Sequence, residues 1–179
     1  MDAVSLLRMQ LENAHDTLEN TFGDLSVADA HREPGGRAFK PAANYAHVIF
    51  AEDGIVNGMI RHGAPLFASS WAGRTGFSAP MPMPGQGDWA QTHDAWSRSV
   101  TMDMAQARQY ARAVEADALE YISSLKPEDL DQPVEVGIPG VPSMPLGMMI
   151  TAFIIGHFYS LAGELSAGKG VLGLQGYPF

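Results

Sequence analysis

Apolar residues recur early in the chain at alternating steps of four and three residues, the spacing of one face of an α-helix. This stripe consists of Leu7, Leu11, Ala14, Leu18, Phe22 and Leu25. It predicts a first helix over residues 3–22 whose apolar seam packs inside a helical bundle. The turn-rich residues 23–41 then end that helix.

A second apolar stripe predicts a helix that begins near Pro41, since proline is well tolerated at a first helical position. The stripe consists of Tyr45, Val48, Ile49, Ile55, Val56, Met59 and Ile60. Beside it runs a stripe of small residues, Ala51, Gly54 and Gly58, headed by His47. Each glycine costs about 1 kcal/mol relative to alanine in a helix, so the stripe indicates the close approach of another backbone or of a ligand. Closer helix packing is the simpler of the two explanations.

Residues 63–87 are rich in proline, glycine and methionine and show no helical period. A loop of this length is either a lid or binding loop, or a surface loop held by its own apolar side chains. The side chains that would hold it are Leu66, Phe67, Trp71 and Phe77. A short helix over residues 88–99 follows, with Trp89, Trp96 and His93 as candidates for its inward face.

The third long helix is expected to open at a Thr101 cap, with Asp103 in its first turn, and to end at Lys126 and Pro127. Its carboxylates Glu115, Asp117 and Glu120 read as a solvated face, because no helical spacing joins them across the buried seam. A short extended segment over residues 134–145 leads into the last helix.

Residues 146–165 form the most buried helix candidate, because His157 is the only side chain between residues 146 and 163 that can carry a charge near neutral pH. Roughly 20 apolar residues are enough to cross a membrane, but three glycines and a histidine favour a central or interface helix. The expected fold is therefore all-α. A single domain over residues 1–179 forms a four-helix bundle, with a long irregular loop and a short extra helix between helices 2 and 3.

Composition narrows the possible partners and the compartment. The 20 acidic and 11 basic residues give a net charge of −9, which repels nucleic acid and anionic membrane surfaces. The chain has no cysteine, which excludes disulfides, thiolate metal sites and a cysteine nucleophile. The first residues lack the basic-then-apolar order of a signal peptide, so we expect a cytoplasmic protein.

Two histidines on different helices, His47 and His157, could supply half of a transition-metal site. The helical neighbours of His157 do not complete it, because Leu161 cannot ligate and Ser160 is a poor zinc ligand. Glu164 lies about 10.5 Å along the helix axis from His157, and Glu52 is rotated away from His47. The alternative is a pair of core histidines hydrogen-bonded to partners drawn from Tyr45, Tyr159, Ser160 and Glu164. His15, beside the first seam, is either partly buried or a metal or substrate contact.

Residues 45–53 (YAHVIFAED), residues 65–84 and the closing segment with Gly156-His157, Gly163-Glu164, Lys169 and residues 173–179 resemble the DinB-like (DinB/YfiT) superfamily. This group of bacterial four-helix bundles includes the YfiT-like metal-dependent hydrolases and the mycothiol-dependent isomerases. The resemblance implies a bundle that is often dimeric. It also implies a metal triad, with one histidine on helix 2 and an H-x-x-x-H pair on the last helix. His47 matches the first ligand and His157 the second, whereas the third position holds Leu161.

Two hypotheses follow. The first is a non-catalytic homodimer or binder of a small ligand, in a cavity where the third metal ligand is missing. Its pocket candidates are His15, Tyr45, Tyr159, Ser160 and Glu164. The alternative is a zinc- or nickel-dependent hydrolase or low-molecular-weight-thiol transferase that uses His47 and His157, with residues 63–87 as its lid. A variant of this alternative recruits His15 as the third ligand. We favour the first hypothesis.

Overall fold

The computed structural model describes residues 1–84, 88–138 and 141–177. Residues 85–87 of the predicted loop, residues 139–140 of the predicted extended segment and residues 178–179 of the tail lie outside the described residues. The side chains of Ile138 and Val141 are likewise left out. The described parts form the predicted all-α bundle with one small sheet.

The first helix, α1 (Ala3–Phe22), has the predicted bounds. It begins after Asp2, whose side chain accepts a hydrogen bond from the backbone N–H of Ser5 at 2.8 Å. The predicted seam is buried, with Leu11 and Leu18 at its centre. The following turn-rich stretch contains one short helix that the sequence did not predict, α2 (Val27–Ala30).

The second long helix, α3 (Pro41–Asp53), begins at the predicted proline and continues without interruption into a π-helical segment, Gly54–Ile60. Every residue of α3 except His47 is buried. The most buried helix is therefore α3, and the expectation that the last helix holds this place is wrong. The reason is that α3 packs on three sides, against α5, the last helix and the long loop.

The loop is packed on the bundle, as one of the two interpretations predicted. Leu66, Phe67, Trp71 and Phe77 all pack against the hydrophobic core. The loop contains a 3₁₀ turn, Leu66–Ala68. The backbone N–H groups of Leu66 and Phe67 donate to Asp53 at 2.8 and 2.9 Å. A buried carboxylate at the end of α3 thus fixes the start of the loop.

The predicted short helix is α4 (Trp89–Ser99), and the third long helix is α5 (Met104–Ser124). Asp103, not Thr101, is the N-cap of α5, because the Asp103 side chain accepts the N–H of Gln106 at 3.0 Å. Thr101 instead pairs with the loop, since its carbonyl accepts the N–H of Ser78 at 2.9 Å. A 3₁₀ turn, Pro127–Asp131, follows α5.

The predicted extended segment is an antiparallel hairpin of β1 (Pro133–Ile138) and β2 (Val141–Pro145). It leads directly into the last helix, which has three parts without a break. These are α6 (Leu146–Met148), a π-helical segment (Met149–Ile155) and α7 (Gly156–Val171).

The four long helices form a closed bundle in which each packs against two others. Both α1 and α3 contact α5 on one side and α7 on the other. The end of α7 is tied to the end of α1 by the buried Lys169, whose Nζ donates to the carbonyl of Thr21 at 2.7 Å and to Asp24 at 2.6 Å. The core is continuous between the four helices.

One helix in the described residues, Leu146–Val171, is long and apolar enough to cross a membrane, with a mean hydropathy of 1.5. The central helix of a soluble bundle passes the same test, and this helix packs along α1 and α3. The helix by itself therefore does not indicate a membrane protein.

Candidate functional site

A cavity of about 530 Å³ lies between α3, the last helix, the loop and the hairpin. Its volume falls in the range of small-molecule sites. Most of the side chains that line it are apolar. The lining consists of His47, Ala51, Ile55, Met59, Met81, Met83, Pro84, Trp89, Val136, Met149, Ala152, Phe153, His157 and Ser160.

The cavity is elongated and follows the axis of α3. Its residues on that helix and its π segment recur every four positions from His47 to Met59, which corresponds to roughly 15–18 Å. The two histidines lie at one end. At the other end an open groove of about 410 Å³ shares Met59, Met83 and Val136 with the cavity. This groove provides a path between the cavity and solvent.

Both π-helical segments line the cavity. Ile55 and Met59 come from the segment after α3, and Met149 and Phe153 come from the segment in the last helix. A π-helix closes i→i+5 hydrogen bonds, so it turns side chains out of the α-helical register, and it recurs at functional sites. Two such segments facing each other separate the helices where the cavity lies.

Three imidazoles meet at the His47 end of the cavity. The ring centre of His47 lies 4.9 Å from that of His157 and 4.6 Å from that of His93, with planes crossing at 71° and 66°. The sequence singled out the first two as histidines on different helices, the resemblance matched them to two metal ligands, and His93 was offered only as an inward-facing candidate. Its helical position beside Trp89 and Trp96 was the available signal, and the structure places it 4.8 Å and 5.6 Å from those two rings.

The three histidines are held in their neutral form. Burial, and then the proximity of His157 and His93, lower the pKa of His47 to about 3. Burial also lowers the pKa of His93 and of His157. The Nε2 atom of His93 is buried and has no hydrogen-bond partner among the described residues. Neutral imidazoles each offer one donor and one acceptor nitrogen.

The arrangement does not fit the metal triad that the resemblance implies. The third ligand position holds Leu161, whose side chain is buried in the core. No group of three or more His, Asp or Glu side chains among the described residues has the arrangement of a metal site. His93 supplies a third ring from a different helix, α4, with its plane at 66° to that of His47.

The small stripe on α3 is filled by the loop rather than by another helix. A Cβ atom on Gly54 would lie 2.3 Å from Cε of Met83, and one on Gly58 would lie 3.6 Å from Pro65. The glycines therefore admit loop side chains. The expectation of closer helix packing at this stripe is wrong, because the loop occupies the space that a helix would need.

Of the other predicted pocket residues, only Ser160 lines the cavity, and its hydroxyl donates to the carbonyl of Gly156 at 2.9 Å. Tyr159 points away from the cavity and accepts the side-chain amide of Asn13 at 2.9 Å. Glu164 is exposed one turn further on.

Tyr45 is buried on the other side of α3, where its hydroxyl donates to Glu19 and its ring stacks on Phe22 at 4.5 Å. The expected hydrogen bonds from His47 and His157 to Tyr45, Tyr159, Ser160 or Glu164 are therefore not formed. Neither imidazole makes a hydrogen bond to a described residue.

His15 is buried at the centre of the bundle and does not join the histidine cluster. Its Nε2 donates to Oε1 of the buried Glu52 at 3.1 Å, and its ring packs 4.1 Å from that of Phe158. Burial opposes its charge, but the carboxylates of Glu52, Glu115 and Glu19 raise the pKa of His15 above its usual value. His15 therefore cannot replace the missing ligand. Sequence reasoning missed this pair because the two residues are 37 positions apart.

The bundle and its inward-facing histidines from the second and last long helices define a class of small helical proteins that build their sites between helices. The sequence profile of the DinB superfamily matches residues 10–157, and the chain belongs to that superfamily. The match ends at His157, four residues before Leu161.

The crystal structure of a conserved protein from Enterococcus faecalis has the same fold, with a TM-score of 0.77. The two chains are 18% identical, and the alignment covers 97% of this chain and 99% of the other. At this identity the similarity establishes the fold. No curated protein sequence matches the chain.

Proposed function

We propose that this protein binds a small, largely apolar molecule in the cavity between α3 and the last helix. The observation that carries the proposal is the cavity itself, about 530 Å³ with a mostly apolar lining and two histidines at one end. Burial of apolar ligand surface there provides about 25 cal/mol per Å² before the costs of association, so micromolar affinity is within reach.

Four methionines contribute to the lining: Met59, Met81, Met83 and Met149. Unbranched thioether side chains repack around ligands of different shape, and methionine-rich surfaces are typical of adaptable binding sites. The shared groove at the Met59 end offers a route for the ligand to enter. This combination supports binding over catalysis, since the described lining contains no carboxylate and its one hydroxyl, that of Ser160, already donates to the carbonyl of Gly156.

The test is titration with N-phenyl-1-naphthylamine, whose fluorescence rises in apolar surroundings. Ala51→Phe fills the cavity one turn beyond His47 and should weaken probe binding at least about tenfold, which corresponds to roughly 1.4 kcal/mol. Ala116→Phe, on the exposed face of α5, is the matched control and should bind as wild type does. Equal binding by Ala51→Phe and wild type would show that the probe lies elsewhere.

We also propose that two copies associate through an exposed apolar patch on α1 and α7. The patch consists of Leu6, Met9 and Tyr159, which are 41%, 47% and 38% exposed. The hydrogen bond between Asn13 and Tyr159 joins the two helices at this patch. Light scattering should give a dimer mass that Met9→Lys reduces to a monomer. Val27→Lys, at an exposed apolar residue on α2, should leave the dimer intact.

A further inference from the structure

We propose that the ligand is an uncharged aromatic molecule with one hydrogen-bonding group, such as a phenolic hydroxyl, directed at His47 and His157. This inference rests on the proposed binding function and specifies the chemistry of the molecule bound. Three features of the cavity support it: the charge of its lining, the kind of apolar side chains it presents, and its unused polar atoms.

The lining carries no Asp, Glu, Lys or Arg side chain. The neighbouring residues outside the described part, 85–87 and 139–140, contain no ionisable side chain in their sequence. A charged ligand would lose its hydration without meeting an opposite charge, which costs several kcal/mol. The cavity therefore selects neutral molecules.

The apolar lining favours aromatic over saturated ligands. Trp89 and Phe153 present rings, and the four methionines present sulfur atoms. A methionine sulfur against the edge of a ring contributes about 0.3–1.5 kcal/mol, and paired rings contribute a similar amount beyond their buried area. An alkyl chain of equal surface area gains only the free energy of burying that area, without the ring and sulfur contacts. The cavity is also long enough for two fused rings along α3.

The hydrogen-bonding capacity of the cavity lies at its His47 end. His47 and His157 line the cavity, and neither makes a hydrogen bond to another described residue. The hydroxyl of Ser160 is already bonded to Gly156. A ligand hydroxyl can donate to one imidazole and accept from the other, because a neutral imidazole has one nitrogen of each kind. An apolar ligand that covers these nitrogens leaves them without a hydrogen-bond partner, which costs free energy.

The three arguments can be tested by measuring the affinities of four compounds by calorimetry at pH 7.5. The compounds are 2-naphthol, naphthalene, 2-naphthoate and 1-decanol. We expect 2-naphthol to bind about tenfold more tightly than naphthalene, the difference that one hydrogen bond makes. We expect it to bind at least about a hundredfold more tightly than 2-naphthoate, since the carboxylate must be desolvated. It should also bind more tightly than 1-decanol.

His157→Phe keeps a ring but removes both nitrogens. It should bring the affinities for 2-naphthol and naphthalene to within about twofold of each other. His157→Gln retains a donor and an acceptor and should keep part of the preference, which also guards against a variant that fails to fold. Tyr121→Phe removes a hydroxyl from α5, outside the cavity, and should change neither affinity.

The outcomes separate the two proposals. If none of the four compounds binds, the binding function itself is overturned. If 2-naphthoate binds as well as 2-naphthol, or naphthalene equals 2-naphthol, the cavity binds ligands but not with the chemistry inferred here. Tighter binding of 1-decanol than of 2-naphthol would overturn the aromatic preference.

Discussion

Nε2 of His15 lies 3.1 Å from Oε1 and 2.9 Å from Oε2 of Glu52, and both side chains are almost completely removed from solvent. The hydrogen bond goes to Oε1, while Oε2 has no aligned donor in the described residues. On its other side, Nδ1 of His15 is 4.0 Å from Glu115 of α5, and the ring packs on Phe158 of α7. One imidazole on α1 thus contacts all three of the other long helices.

Glu52→Gln should destabilise the protein by about 3 kcal/mol, because it leaves a buried imidazole without its counter-charge. The folded-state pKa of His15 is raised above that of the unfolded chain, about 6.5. The stabilisation that protonated His15 provides is therefore fully present below pH 6.5, and it is lost as the pH rises through the folded-state pKa. Urea unfolding of wild type and variant should show a larger difference at pH 6 than at pH 9. Glu12→Gln, in an exposed pair with Arg8, is the control and should cost less than about 1 kcal/mol.

His47 predicts the opposite pH dependence. Its folded-state pKa of about 3 lies below the unfolded value, so the unfolded chain binds an extra proton between about pH 6.5 and pH 3. Stability should fall as the pH drops through this window, by about 2–3 kcal/mol at pH 4.5 from this residue alone. The His47→Phe variant should therefore lose about 2–3 kcal/mol less free energy of unfolding than wild type between pH 7.5 and 4.5. The control His62→Asn, at an exposed histidine, should lose as much as wild type. A His47→Phe curve parallel to wild type would contradict the depressed pKa.

The leucine at the third ligand position can be tested by replacement. Wild type should show no stoichiometric zinc or nickel by elemental analysis, and added zinc should change its melting temperature by less than about 1 °C. Leu161→His places a second imidazole one helical turn from His157, near His47, and should gain a zinc-dependent rise in melting temperature. Leu161→Met is the control for the change in packing. Stoichiometric zinc or nickel in wild type would contradict this prediction. It would show that other residues complete a metal site despite the leucine at position 161.

Alanine substitutions at Gly54 and Gly170 test whether the loop residue Met83 takes part in ligand binding, because only Gly54 lies against Met83. Gly170 is helical with open space around its Cβ position, so Gly170→Ala should stabilise the protein by up to about 1 kcal/mol. At Gly54 the new Cβ must displace the end of Met83, which lines the cavity. Gly54→Ala should therefore gain less stability and change the affinity for N-phenyl-1-naphthylamine severalfold, while Gly170→Ala leaves that affinity unchanged. If both variants bind the probe with the same affinity, Met83 does not take part in binding it.

Asp53 holds the loop by accepting four hydrogen bonds while fully buried. Besides Leu66 and Phe67, the donors are the amide of Asn57 at 2.9 Å and the hydroxyl of Tyr110 at 2.7 Å. Asp53→Asn replaces an acceptor oxygen with an NH₂ group that faces these donors, so it should destabilise by at least about 3 kcal/mol. The measurement is the midpoint of urea unfolding. Asp94→Asn, in an exposed pair with Arg98, should shift that midpoint little.

Most of the fold follows from local patterns. The seam of α1, the proline at the start of α3 and the uncharged last helix each act over a few helical turns, and a local pattern is enough to place them. The N-cap of α5 was misplaced by two residues, because Thr101 and Asp103 are both good caps and the pairing of Thr101 with Ser78 decides between them. The short helix α2 was too brief to leave a periodic signal.

The candidate site was predicted only in part. His47 and His157 stood out as histidines on two different helices, and the structure brings their rings together. His93 and the methionines of the loop reach the same end and wall of the cavity from segments with no shared pattern. Their convergence depends on how the loop folds back over Gly54, a contact between distant residues that no local spacing encodes.

The sequence by itself determined the helices, the all-α bundle and the presence of a leucine, Leu161, one helical turn after His157, because each depends on residue type and on spacing along one helix. Only the tertiary structure decided that His15 pairs with Glu52 instead of joining the site. It also decided that a third imidazole supports His47, and that two π-helical segments leave an apolar cavity between α3 and the last helix. These features arise where separate helices meet, so they depend on packing rather than on local periodicity.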